Sequence, residues 1–227
     1  RHMKRFSLKA YLARLEYRYG RYAIHNLMPI MIGAMGIVFI ADFFMSSFFP
    51  GISIYDAFVF KRADILAGQV WRVITFAFLP PSTNPIFVIF SLYFYYLIGI
   101  SLEREWGALK FNIYYLLGII GTIIAGFITG YADNYYLNMS LFFAFAMFYP
   151  DFQLLLFFIL PVKIKWLAWL DAAMFIFMFI IGGWATRASI IAALLNFFIF
   201  FGSDFISRAK QFIERMKLKW RYRGKHF

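Results

Sequence analysis

Six stretches of this chain are too apolar, for too long, to be left in water: residues 27–49, 85–102, 111–131, 135–149, 166–181 and 188–203. Four of them hold no charged residue, and the other two hold one aspartate each, Asp42 and Asp171. Backbone that enters lipid must satisfy its own polar groups, so stretches of this kind form transmembrane helices. Hydrophobic residues make up 63% of the 227 residues, more than the single core of a soluble domain would hide. The expected fold is therefore all-α and integral to the membrane. It is a six-transmembrane-helix bundle at 27–203, flanked by cytoplasmic basic amphipathic helices at 1–26 and 204–227.

Charge sets the expected orientation. The formal net charge is +12, and 15 of the 23 Lys and Arg lie in residues 1–26 and 203–227. Basic residues massed beside hydrophobic spans mark the cytoplasmic side and favour anionic lipid headgroups, so no nucleic-acid partner is expected. Both termini then lie in the cytoplasm, which requires an even number of spans. The loops at 103–110 and 151–165 fall inside and the segment at 51–84 falls outside. Within residues 6–24, Leu8, Tyr11, Leu12, Leu15, Tyr19 and Tyr22 recur at helical spacing among basic residues. In the tail, Phe205, Ala209, Phe212, Ile213, Met216 and Trp220 do the same. His2-Met3 reads as a cloning remnant, which puts the expected native start at Met3, and no removable signal peptide is expected.

Between the spans, 51–84 is too polar to cross lipid and too apolar for a solvated loop, so a folded interfacial element is expected there. Residues 152–165, interrupted by Pro161, Lys163 and Lys165, read as a dipping or interfacial segment. Spans four and six, about 15 and 16 residues long, read as short for a hydrocarbon core of about 30 Å. Thinning of the bilayer beside them is one expected consequence, and extension by interfacial neighbours is the other.

Three motifs occur in order. The first is Gly68-Gln69-Val70-Trp71-Arg72-Val73-Ile74-Thr75, with its Trp71-Arg72 pair. The second is Leu102-Glu103-Arg104-Glu105-Trp106-Gly107, followed by Phe111 and Tyr114-Tyr115. The third is Phe148-Tyr149-Pro150, then the run from Leu156 through Pro161 to Lys163. In sequence and spacing they resemble the rhomboid superfamily over roughly residues 55–200. The resemblance implies structural roles for Trp71, Arg72, Glu103, Arg104, Gly107, Pro150, Pro161 and Lys163.

The chemistry of a rhomboid protease is missing. Its serine, in a Gly-x-Ser-Gly turn, would fall near Tyr135. Its helix-six histidine would fall in Ser189-Ile190-Ile191-Ala192, and its oxyanion donors would fall on Phe87 and Ser91. The only histidines are His2, His25 and His226, all in the basic ends. Without nucleophile, base and oxyanion donors, no element of the mechanism is left. The run Tyr135-Tyr136-Leu137-Asn138-Met139-Ser140 looks derlin-like, which implies a catalytically inactive pseudoprotease. Such a protein binds membrane-protein clients and assists their quality control or extraction, with a cytosolic protease or unfoldase as a further partner. With no eukaryotic retention signal in the chain, a prokaryotic plasma membrane is the expected setting.

Two other classes remain open. A protease built on Ser140 needs a base that only Lys163 or Lys165 offers. A small-molecule or ion transporter is opposed by the few intramembrane ionisable groups and the lack of inverted repeats. With no cysteine in the chain, zinc thiolate sites and thiol catalysis are excluded, and no metal or cofactor is expected. Candidate polar residues of a client groove are Asn138, Ser140, Asn196 and Ser91. Structurally, Asn138 and Asn196 are expected to bond to one another or to Ser140, and Asp171 to Lys165 or another basic residue near the cytoplasmic edge. Asp42 is expected to pair with Arg72 or Arg187. Gly118, Gly121, Gly126 and Gly130 on span three mark a close helix approach, within the bundle or in a homo-oligomer.

Overall fold

The structure, a computed structural model, describes residues 8–49, 51–156 and 160–223. The chain opens with α1 (Leu8–Tyr19) and a 3-10 turn at Gly20–Tyr22. The long apolar helices are α2 (Leu27–Phe48), α6 (Pro85–Trp106), α7 (Ala108–Thr129), α9 (Ile164–Ile181) and α10 (Trp184–Arg223). Each carries an apolar stretch long enough to cross a membrane, whereas α8 (Tyr135–Phe148) is shorter, at 14 residues.

Residues 51–84 fold as α3 (Ile54–Phe58), β1 (Phe60–Lys61), α4 (Arg62–Leu66), α5 (Arg72–Thr75) and a 3-10 turn at Phe76–Phe78. This module has its own small core of Val59, Phe60, Ile65, Phe76 and Leu79 with Ala132. It is tied to the bundle where β1 pairs antiparallel with β2 (Tyr131–Ala132), Phe60 opposite Ala132. The buried Asn134 adds two bonds, its Nδ2 donating to the carbonyls of Ala77 and Leu79 at 3.0 Å each.

Local chemistry sets the helix ends. Asn84 caps α6, its Oδ1 accepting from the amide of Ile86 at 3.0 Å, with Pro85 in the first turn where a missing N–H is harmless. Gly107 separates α6 from α7 at φ +82°, a conformation side chains resist. α6 thus runs through Glu103-Arg104-Glu105 to Trp106, four residues past the expected end at Leu102.

Three differences from the sequence expectation have physical causes. First, 152–165 is a hairpin, β3 (Gln153–Leu156) against β4 (Leu160–Lys163), with Leu155 opposite Pro161. An interfacial edge lets the pair bond its own backbone, and proline sits there without breaking a longer ladder. Second, α10 is one 40-residue helix across the expected boundary at 203/204, because a change from apolar to basic side chains does not interrupt backbone bonding. The faces of Phe205, Ala209, Phe212, Ile213 and Trp220 lie outside the described side chains. Third, helix six is not short, since its apolar part runs 19 residues from Trp184 to Gly202. The fourth is short but enclosed, with eight of its 14 residues buried. A helix surrounded by protein imposes little mismatch on lipid, so neither helix by itself demands a thinned bilayer.

Candidate functional site

Ser140 lies inside the bundle, 1% exposed. Its Oγ donates to the Leu137 carbonyl one turn back at 2.7 Å and accepts from the Tyr114 hydroxyl of α7 at 3.0 Å. The serine proton is thus committed to a carbonyl, the usual arrangement of a hydroxyl in an apolar helix. Among the described residues no histidine, lysine or carboxylate bonds to it. Lys163 and Lys165 both turn to Asp151, at 3.6 and 2.8 Å. His25 is exposed in the turn before α2, and His2 and His226 lie outside the described residues.

Tyr114 also receives α10. Asn196 Nδ2 donates to the Tyr114 carbonyl at 3.1 Å, so one residue of α7 holds both α8 and α10. The expected bonds between Asn138 and Asn196, or from either to Ser140, are not among those formed by the described residues; Ser140 and Asn196 each bond to Tyr114 instead. Asn138 Oδ1 and Asn196 Oδ1 are buried without a hydrogen-bond partner among the described residues. Ser91, half-buried on α6, joins none of them. Gly118 permits the approach: a Cβ there would run into Leu137 and meet Asn196 Nδ2 at 3.0 Å. Gly126 likewise faces Phe60 and Ala132, and Gly121 faces Ala192, so these glycines serve packing within this chain.

At the other landmarks, Arg72 is buried at 4% exposure and makes four polar contacts. Its Nε donates to Gln69 Oε1 at 2.7 Å, its Nη1 to the carbonyls of Asp56 and Val59 at 2.6 and 2.9 Å, and its Nη2 pairs with Asp64 at 3.2 Å. Trp71 is half exposed and donates to the Ala57 carbonyl at 3.3 Å. Asp42 pairs with neither Arg72 nor Arg187. It accepts from Ser53 Oγ and the Tyr55 amide, docking the start of α3, while Arg187 donates to the carbonyls of Phe179 and Ile180 at the end of α9.

The α6–α7 corner gathers the acidic motif. Glu103 Oε1 accepts from the Asn26 amide at 2.8 Å, Arg104 is exposed, and Gly107 lies against Glu16, which pairs with Lys110 at 2.8 Å. Glu105 accepts from the Tyr149 hydroxyl at 2.7 Å, a bond that raises the phenol's pKa. The Pro150 carbonyl accepts from the Lys165 amide at 3.0 Å, and the exposed Pro161 lies in β4. Lys165, then Lys163, holds the Asp151 carboxyl below its usual range. Lys165 is used there, so it does not pair with Asp171, whose Oδ2 is buried without a hydrogen bond among the described residues.

A groove of about 410 Å³ opens among α8, α9 and α10. Its walls include Phe143, Met147, Trp169, Ala172, Ile176 and Phe198, and Lys165 lies at one end. α9 is held loosely: 11% of its apolar window is buried, against 39% for α7. Such a helix leaves a lateral face where an apolar guest can bind. Among the described residues no cluster of three His, Cys, Asp or Glu forms a metal site.

No family model matches this chain, and no curated protein matches it. What the helices define is an all-α integral membrane protein, with five helices among the described residues long and apolar enough to span the bilayer and one shorter apolar helix, α8, between them.

Proposed function

We propose that this protein is a rhomboid-like pseudoprotease that holds membrane-spanning segments of client proteins in the α8–α9–α10 groove without cleaving them. Its role is membrane-protein quality control or extraction. The observation that carries the reading is the groove itself, an open apolar space beside a weakly buried helix. An apolar concavity facing lipid suits a helix better than a polar small molecule. Ser140 supports the non-catalytic part, because its proton is bonded to a carbonyl and no base among the described residues bonds to it.

The same reading counts α8 as a sixth crossing and places both termini in the cytoplasm of a prokaryotic plasma membrane. The exposed Arg14, Arg18 and Arg21 of the amino-terminal segment would meet anionic headgroups, with Tyr17 and Tyr22 beside them. A cytosolic protease or unfoldase would receive the client.

The test is photocrosslinking of the full chain in liposomes to a defined single-span client, from position 169 in the groove and from position 37 on α2. Adducts from position 169 in clear excess over position 37 are expected. Equal yields from both would mean that the client meets the protein only by chance in the bilayer.

A further inference from the structure

The groove among α8, α9 and α10 is apolar along its length and charged at one end. On α9 its lining residues include Lys165, Ala168, Trp169, Ala172 and Ile176, a stripe at helical spacing, and Lys165 is the only charged residue among the described lining residues. From Lys165 to Ile176 the stripe is about 16 Å long. One leaflet has about that depth, half of a hydrocarbon core of about 30 Å. Lys165 is the second residue of α9, and the exposed Trp166 and Trp169 near it mark the interface, where indoles collect.

Charge at that end does not cancel. Lys165 and Lys163 lie 2.8 and 3.6 Å from the same oxygen, Asp151 Oδ1, so two ammoniums share one carboxylate and a net positive charge is left. Both lysine side chains are part-exposed, which turns that charge towards the headgroup layer. The positive end of the α9 macrodipole falls at the same place.

We propose that an anionic phospholipid of the adjoining leaflet is a resident ligand of this groove, with its phosphate at Lys165 and Lys163 and one acyl chain along α9. The proposal goes beyond the client reading and does not depend on it. Charge and length choose the occupant together. An anionic phospholipid carries its charge at one end of an apolar chain one leaflet long, which matches the groove in order and in size. A zwitterionic lipid fits the apolar wall equally well, but its own ammonium opposes the charge left on the lysines. Moving an acyl chain from bulk lipid into an apolar groove gains little, because the tails around it are as apolar as the wall. Selection therefore comes from the head end.

The experiment places the full chain in liposomes of phosphatidylglycerol and phosphatidylcholine, each in turn carrying a photoreactive group midway along one acyl chain. Adducts are mapped by mass spectrometry of peptides. At residues 168–176, phosphatidylglycerol adducts should exceed phosphatidylcholine adducts about fivefold, which corresponds to about 1 kcal/mol, the contribution of one basic residue near an anionic surface. On the exposed face of α2 around Ile37 the ratio should stay well below that. Lys165→Gln leaves a neutral Lys163–Asp151 pair and should bring the groove ratio down to the α2 value. Lys165→Arg should keep the ratio, and Asp151→Asn, which uncovers a second charge, should raise it. Helical content and elution volume check that each variant folds. A groove ratio no higher than that on α2 in the unaltered protein, or one that survives Lys165→Gln, overturns the inference. So does a groove without lipid adducts, the result expected if a protein helix stays seated there.

Discussion

The Tyr114 hydroxyl on α7 donates to Ser140 on α8 at 3.0 Å, while Ser140 donates onward to the Leu137 carbonyl. Two hydroxyls thus form a short relay that ends on backbone and joins two helices. A reactive serine has to hold its proton toward a base. This one spends it on helix geometry.

Ser140→Ala should therefore act on stability. Removing one neutral hydrogen bond costs about 0.5–1.5 kcal/mol, and interhelical bonds in membranes fall in a similar range. Tyr114→Phe should cost a comparable amount, and the double variant less than the sum. A fluorophosphonate probe should leave the protein unlabelled. Labelling that disappears in Ser140→Ala would sink this reading.

Arg72 holds the 51–84 module by filling four acceptors while buried. Arg72→Ala leaves Asp64 without its cation and two loop carbonyls without a donor, so a loss of about 3–5 kcal/mol is expected. Arg72→Lys should recover little, since an ammonium cannot reproduce the planar fork. Hydrogen exchange over residues 54–79 reads this out: faster exchange confined to the module is expected. Unchanged protection in Arg72→Ala would mean that the module stands on its apolar core alone.

How far the sequence foretold this structure varies with the kind of interaction. Apolar runs end where their residues stop suiting lipid, so α2, α7 and α8 begin and finish within three residues of expectation. A folded element at 51–84 was legible because its composition suits neither lipid nor water. The β3–β4 hairpin was not, since an apolar run broken by Pro161 and two lysines carries no alternation by which to recognise a strand. The length of α10 was missed because the change from apolar to basic side chains at 203/204 marks where lipid stops suiting the chain and not where backbone bonding stops. At the candidate site, Ser140 and Asn196 were visible as polar residues in apolar helices. Their common partner was not, because Tyr114, though part of the second motif, carries no sign in the sequence that it bonds to both α8 and α10. Asp171 was assigned to Lys165 by closeness in sequence, whereas Asp151 lies where the hairpin closes and takes that lysine first.

Asp133, in the turn before α8, gives a pH signature. Burial raises its pKa from 3.8, and the bond from the Tyr135 amide only partly opposes this. A carboxyl with a raised folded-state pKa favours folding below its unfolded value, and that contribution is lost as pH rises through the folded value. At neutral pH the charge is a net penalty. Asp133→Asn keeps an acceptor for Tyr135 and should raise the melting temperature at pH 7, with the gain fading as pH falls toward about 3.8. A gain that does not change with pH would assign the effect to something other than this charge.

The amino-terminal segment should depend on lipid charge. Replacing Arg14, Arg18 and Arg21 with Gln removes about 1 kcal/mol of headgroup attraction for each residue near the surface. In liposomes with anionic lipid, the variant should expose α1 to protease sooner than the parent, and in neutral liposomes the two should match. Equal rates in anionic liposomes would show that α1 is held by Glu16–Lys110 and its packing rather than by lipid.

The central claim is that a client helix occupies the α8–α9–α10 groove, and filling that groove tests it most directly. Ala172 lines it, and Ala172→Trp puts an indole where the guest would lie. Binding of a fluorescent single-span peptide to the full chain in liposomes should weaken about tenfold, or about 1.4 kcal/mol. The melting temperature should stay unchanged, because the added volume enters open space. Undiminished binding by a folded Ala172→Trp variant would contradict the account.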